Sequence, residues 1–342
     1  MAFSSLVFTT CTTAQTTPSE FAELSLQDLF QLSTDEQTES ANKWSWTLQL
    51  RSVEYDGYLD GSDKLSLDEV LFVPGSENRT NKNFPVVPTV ITQDVTLFGL
   101  NYQINQEWHA QVRIPYIQQA TDHISIVPGY DEFLIKSSGV GDIVLSARCQ
   151  FSTTTNGQWW LTAGLSLPTG SIDERGDTPR APGDQQLPYT MQLGSGTYDL
   201  PVELQYHHLG KLDYTIALSA TFRTGQNDRD YRLGNRYALH AKFNWSVSDT
   251  VGTFWGTDVI YSDSIKGRDE ELLVPQTFPY PASITNPDLY GGSKVIVRAG
   301  FNWSFVEEYQ LAFEYGKPLY QNLNGPQPRE RWRTGLTLSK SL

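Results

Sequence analysis

The chain has 342 residues, with 39 Asp and Glu against 25 Lys and Arg, for a net charge of −14. That balance excludes nucleic acid as a partner, because a phosphate backbone demands a basic surface. Mean hydropathy is −0.39, and no run reaches the ~18 to 20 apolar residues of a spanning helix, so any membrane crossing must use strands of ~9 to 11 residues.

Residues 1-16 read as a leader. The apolar patch from Phe3 to Phe8 precedes Thr12-Thr13-Ala14, a candidate signal-peptidase site, although no basic stretch opens it. Lipidation of Cys11 is disfavoured, since Phe8-Thr9-Thr10 makes a poor lipobox. In the segment 17-43, Phe21, Leu24, Leu29 and Leu32 recur at helical spacing after Thr17-Pro18-Ser19-Glu20. This predicts a short N-terminal helix on the periplasmic side.

From Trp44 to the end, residues 44-342, the pattern changes to strict alternation. In the stretch 235-247, Tyr237, Leu239, Ala241, Phe243, Trp245 and Val247 share one face, and Arg236, His240, Lys242 and Asn244 share the other. Such stretches predict about twelve strands, near 44-56, 91-104, 107-117, 140-152, 158-168, 197-208, 212-224, 235-247, 251-262, 293-305, 308-319 and 331-342. Long connections at 57-90, 118-139, 169-196, 225-234, 263-292 and 320-330 alternate with short ones. Aromatics flank the short turns: Tyr102 and Trp108, Phe151 and Trp159, Tyr206 and Tyr214, Trp303 and Tyr309. Amphipathic rings prefer the headgroup level, so this is the girdle of a lipid-facing barrel.

The expected fold is therefore an all-β, transmembrane, antiparallel up-and-down β-barrel of about twelve strands in the outer membrane. Both termini fall on the periplasmic side, because outer-membrane barrels have short periplasmic turns and longer external loops. Outer-membrane lipid and the insertion machinery are its expected partners. Phe243-Asn244-Trp245-Ser246 and Phe301-Asn302-Trp303-Ser304 each close a strand before a short turn. Cys149 falls on the lipid-facing register beside Ala147 and Phe151, so the two cysteines suggest neither a disulfide framework nor a metal cluster.

Several segments resemble a known family. Gly99 to Trp108 running on to Arg113-Ile114-Pro115-Tyr116, Ser138-Gly139-Val140-Gly141-Asp142 with Leu145, Gly164 to Pro168-Thr169-Gly170, and Gly194-Ser195-Gly196 before Tyr198-Asp199 occur in one order. Together they resemble the outer-membrane proteins of the MetA-pathway of phenol degradation family. The resemblance covers roughly residues 95 to 260. It implies an outer-membrane transporter for small aromatic or hydrophobic compounds, with no catalytic residues to transfer. The chain departs from that family in lacking a basic start to its leader and in ending on Leu342 rather than on an aromatic.

The inward register is ionisable. Candidate lumen-lining residues are Arg51, Arg113, Asp142, Arg148, Glu203, Arg223, Arg236, His240, Lys242, Asp258, Lys294, Arg298, Glu314 and Arg333, with His109, Asp199 and His207 on the same face. In a narrow barrel such charges either brace the wall or line a small water path. The basic excess on the seventh to tenth strands, from Arg223, Arg236, Lys242, Lys294 and Arg298, would favour organic anions such as aromatic carboxylates.

Enzymatic readings fare badly. A hydrolase needs a Ser-His pair with an orienting group. His109, His207 and His208 lie near periplasmic turns, His123 is expected in a loop, and His240 is mid-strand without a partner recognisable in the sequence. Gly139-Val140-Gly141-Asp142 is followed by neither Lys nor helix, so it is not a phosphate loop. No cofactor and no metal ligand spacing is evident. The expected function is passage of a small-molecule solute, with the loops at 57-90, 169-196 and 263-292 as gate. The alternative is a non-transporting structural or surface-binding barrel with a plugged lumen.

Overall fold

The computed structural model describes residues 43–342 apart from 211 and 307. The expected leader and N-terminal helix lie outside the described residues. In chain order the strands are β1 (Trp44–Gly61), β2 (Asp63–Leu65), β3 (Val86–Gln103), β4 (Trp108–Ser125), β5 (Glu132–Val140), β6 (Ile143–Thr154), β7 (Gly157–Leu167), β8 (Arg175–Thr178) and β9 (Ala181–Gln186). They continue with β10 (Asp199–His208), β11 (Asp213–Arg223), β12 (Tyr231–Arg232), β13 (Arg236–Ser246), β14 (Val251–Ser262), β15 (Lys266–Gly267), β16 (Gly292–Val306) and β17 (Tyr309–Ser341). One short helix, α1 (Leu67–Val70), follows β2.

Eleven strands form the wall, in the order β1-β3-β4-β6-β7-β10-β11-β13-β14-β16-β17, all antiparallel, and β17 pairs back onto β1 to close the ring. The last strand makes two crossings. Residues 309 to 323 run antiparallel to β16, and the rest of its 33 residues run antiparallel to β1 from Leu323 to Ser341. The bend between the two arms includes Gly325 at φ +104, a left-handed value that a side chain would resist. The wall is therefore crossed twelve times, which is the even number that leaves both ends of the described chain on one side. There Leu342 donates its amide to the Trp44 carbonyl at 2.8 Å.

Alternation decides which face meets lipid. Leu50, Leu145, Leu161, Leu200, Ile216, Leu218, Leu239 and Val259 are exposed, while their sequence neighbours point inward and are mostly buried. The aromatics at the short turns touch one another around the rim. Trp44 and Tyr102 have ring centroids 4.5 Å apart, Trp159 and Tyr206 4.8 Å, and Tyr214 and Phe243 6.0 Å. A Cβ on Gly157 would lie 2.6 Å from the Tyr206 hydroxyl, so the turn residue must be glycine for that ring to sit where it does. A second level of aromatics stands eight residues up: Trp108 to Tyr116 on β4, Tyr214 to Phe222 on β11, Trp245 to Tyr237 on β13. At ~3.3 Å per residue and a tilt of ~35 to 45°, eight residues span about 20 Å, close to the ~25 Å apolar band of outer-membrane barrels.

Above Tyr116 the outward residues turn polar, as at Gln118, Asp122 and Lys136, yet the strands continue. Residues 118-139, expected as a loop, are instead the top of β4 and the returning β5, paired from Tyr116 with Val140 to Ile124 with Glu132. Residues 320-330 are likewise strand rather than loop. His123 is thus a β4 residue, only 4% exposed. The reason is that these stretches keep an inward apolar or hydrogen-bonding register after leaving the lipid, so the ladder has no cause to stop.

Leu218 is 55% exposed at the middle of β11. Leu218→Arg is expected to destabilise the barrel by about 2–4 kcal/mol, the cost of a cation on the lipid face near the midplane. Urea unfolding in vesicles checks this, with Ser219→Ala on the opposite face as the control.

Candidate functional site

Register brings five of the fourteen candidate lumen residues into one chain of contacts around the closure seam. At mid-height His240 on β13 faces Asp258 on β14, and their side chains meet at 2.8 Å. Asp258, fully buried, also accepts from Arg298 Nε at 2.6 Å and Nη2 at 2.8 Å. Arg298 reaches on to Glu314 at 3.3 Å, and Glu314 binds Arg51. The belt therefore runs across β13, β14, β16, β17 and β1, with Asp258 and Glu314 each placed between nitrogen-bearing side chains. One layer further out, Arg223 donates to Asp199 at 2.5 Å, and Glu330 accepts from Lys294 at 3.0 Å and from Arg333 at 2.6 and 2.8 Å. A charge this deep is tolerable only when paired and hydrogen-bonded, and each carboxylate here is.

The remaining candidates are spread more widely. Arg113 and Glu203 lie half-buried on the inward register of β4 and β10. Arg148 donates to Gln205 at 3.2 Å and lies over the Trp160 ring at 4.3 Å. Lys242 sits over Phe254 at 4.7 Å, without a carboxylate partner among the described residues. Arg236 is 1% exposed at the outer end of β13. Two participants escape a reading of the sequence. Glu330 falls in what reads as a loop, and a register shift beside Tyr55 puts it inward out of step with Arg333. Ser219, on the inward register of β11, is findable only once β11 is aligned with β13.

Beside the charged seam, on β3 and β4, the wall is amide and aliphatic. Gln93 donates to Gln119 at 2.6 Å and Gln111 to Asn101 at 2.5 Å, while Val95, Leu97 and Ile117 fill the intervening positions. Onto this side fold the long loops. Leu193, Ala282 and Ile284 pack against Val53, Tyr55, Ile91 and Val95, and Tyr189, Tyr231 and Tyr290 form an aromatic cluster above them. The loops at 169-196 and 263-292 thus fill the outer mouth.

Asp142, expected on the wall, sits in the break between β5 and β6 and ties the mouth together. Its carboxylate accepts from Gly170 N at 2.9 Å and from Ser195 N and Oγ at 2.8 Å each. Thr169 Oγ1 donates to the Gly141 carbonyl at 2.9 Å. The glycine-containing motifs are far apart in sequence but meet here. A Cβ on Gly194 would lie 2.5 Å from Asp142 Oδ1 and 2.5 Å from the Gly170 carbonyl oxygen. Gly194→Ala is therefore expected to unseat the 187–197 segment while sparing the barrel, seen as new protease cleavage in that loop at unchanged strand content.

A second tie links the β4–β5 hairpin to the β8–β9 hairpin. The Tyr130 hydroxyl donates to Asp177 Oδ1 at 2.6 Å, and with the Gly183 amide it holds that carboxyl below the usual range. A depressed value means the tie is complete above the ordinary Asp pKa of ~3.9 and is lost as pH falls through the folded value. The protection factors for hydrogen exchange in β8–β9, corrected for the intrinsic pH dependence of amide exchange, are expected to stay flat from pH 7 to 5 and to fall only in stronger acid, with Tyr130→Phe abolishing the transition.

His240 has partners after all. Ser219 Oγ is 3.1 Å from Nε2, and Asp258 holds Nδ1, the order of a nucleophile, base and orienting carboxylate. Hydrolysis also needs donors aimed at a developing oxyanion. Here the flanking backbone amides belong to strands paired on both sides, and Asp258 is shared with Arg298. The chain of contacts therefore braces the wall. A fluorophosphonate probe is expected to leave Ser219 unmodified; labelling that vanishes in Ser219→Ala would establish a hydrolytic centre instead. Asp258→Ala, which leaves Arg298 and Arg51 sharing the single carboxylate of Glu314, should cost about 3–5 kcal/mol.

No family model matches the chain, and no curated protein matches it. An outer-membrane channel from Pseudomonas putida F1 has the same fold with a TM-score of 0.62 and 16% identity, covering 90% of this chain and 98% of that one. The monoaromatic hydrocarbon channel TodX, as a mutant lacking S2 and S3, gives a TM-score of 0.46 at 10% identity over 89% and 91%. The translocator domain of the autotransporter NalP from Neisseria meningitidis gives 0.43 at 8% over 90% of each. The latter two scores are too low to bear on this chain. The chain is an outer-membrane β-barrel.

Proposed function

We propose that this barrel is a passive outer-membrane channel for small organic anions, aromatic carboxylates among them. The observation that carries the reading is a reversal of sign. In a chain of net charge −14, the inward register of the described wall carries nine cations: Arg51, Arg113, Arg148, Arg223, Arg236, Lys242, Lys294, Arg298 and Arg333. Six carboxylates face them: Asp199, Glu203, Asp213, Asp258, Glu314 and Glu330. A low-dielectric tube with a cationic excess raises the local concentration of anions and repels cations. The resemblance to the MetA-pathway of phenol degradation family supports an aromatic solute, and the name of the similar Pseudomonas putida protein supports a channel.

Lys242 is the natural determinant of selectivity, because its ammonium has a ring beneath it and no carboxylate neutralising it among the described residues. Planar-bilayer recordings of refolded protein should show discrete conductance steps with an anion preference, reduced by benzoate. Lys242→Glu should lower or invert that preference without loss of folded barrel. A second reading, a sealed barrel that acts as a structural or binding module, draws on the loops packed into the mouth. Silent bilayers containing correctly folded protein would select it.

A further inference from the structure

A small void lies above the membrane where three parts of the chain meet: the β4–β5 hairpin, the segment 178–188 and the loop around Leu272 and Pro281. It holds about 30 Å³, room for about two water molecules, and is partly open to solvent. Phe133, Ile135, Leu272 and Pro281 make one wall apolar. The facing wall is polar. Thr178 is 7% and Gln186 1% exposed. Thr178 Oγ1, Arg180 Nη1 and Gln186 Oε1 are each buried without a hydrogen-bond partner among the described residues. The apolar wall has no partner to give them, and the polar groups beside it are engaged elsewhere. His123 Nδ1 donates to the Thr121 carbonyl at 3.0 Å, and Thr285 Oγ1 donates to the Ala282 carbonyl at 2.7 Å. Gln186 Nε2 donates to the Ile172 carbonyl at 2.8 Å, which fixes the amide with its oxygen as acceptor. Arg180 Nη2 donates to the Gln186 carbonyl, which holds the guanidinium in place. Arg175 and Arg229 bind the nearby carboxylates of Asp173, Asp184, Asp269 and Glu271, whereas no carboxylate of the described residues lies within ion-pair distance of Arg180.

A buried donor or acceptor is costly to leave unmatched, and a cation facing an apolar wall needs a counter-charge that water does not supply. A guanidinium and a hydroxyl, both donors, suit an anion, and the space limits that anion to a single atom beside one water. We propose that this void binds a halide ion, chloride or bromide, on Arg180 Nη1 and Thr178 Oγ1, with one water donating to both the ion and Gln186 Oε1. Carboxylates, sulfate and phosphate are too large for it. The bound ion satisfies a loop whose polar atoms otherwise face apolar side chains, and so seats the segment 175–188 against the β4–β5 hairpin. The proposal is independent of the channel reading, because it concerns the seating of a loop and not passage through the tube.

Hydrogen exchange on the folded full-length protein in detergent tests it, with sodium chloride, bromide or gluconate as the salt at constant ionic strength. Chloride and bromide should raise protection in residues 175–188 saturably, and gluconate, too large to enter, should not. Arg180→Gln should weaken the halide response at least about tenfold, and Thr178→Val, which keeps the side-chain shape and loses the hydroxyl, should weaken it roughly threefold or more. Crystals of the unaltered protein grown in bromide should show an anomalous peak between Arg180 and Thr178, a readout that does not depend on how either variant folds. Protection equal in chloride and gluconate, a halide response unchanged by both substitutions, or two waters and no bromide at this position overturns the proposal.

Discussion

The barrel depends on neutralising charge inside a ring that has lipid on its outer side. Asp258 has no solvent exposure, yet it is held by a histidine and by two donors on one edge of a guanidinium. That guanidinium reaches Glu314, which reaches Arg51 across the seam where the last strand meets the first. Because the belt spans the closing pair, the same contacts that settle the electrostatics also tie the two ends of the sheet together. Removing a partner leaves its mate buried and alone, which costs more than the pair gains.

The two halves of the interior behave differently for a reason visible in their side chains. On the seam half, long Arg and Lys side chains run along the wall and pair with carboxylates on nearby strands, so the wall is stiff and polar. On the β3–β4 half, amides and aliphatic residues leave an apolar surface that the long loops can cover. Leu193 and Ile284 belong to that cover as much as Val53 and Val95 belong to the wall. The mouth is consequently closed from one side, by loops anchored on Asp142, while the charged side remains the lining of the tube.

Much of the wall was legible in the chain because a lipid-facing strand obeys a two-residue period that can be read locally. Tyr237 to Val247 announces its lipid face, and Arg236, His240 and Lys242 its inner one. Less legible was anything set by how far a strand continues beyond the lipid. Residues 118-139 and 320-330 look like loops because outward apolar residues stop there, and this misplaced His123 and concealed Glu330. The knot at Asp142 was half legible: its glycines and carboxylate stand out as motifs, but their separation of tens of residues hides that they touch.

The sequence by itself determined an outer-membrane barrel whose described wall has both ends on one side, the aromatic girdle and the sign of most inward positions, since each follows from periodicity within single hairpins. Only the tertiary structure decided which inward charges become partners, because pairing depends on the register between neighbouring strands, as when His240 falls opposite Asp258 rather than one step away. It also decided that the loops fold into the mouth and set Thr178, Arg180 and Gln186 beside His123 and Phe133. Long-range packing of that kind has no periodic signal along the chain.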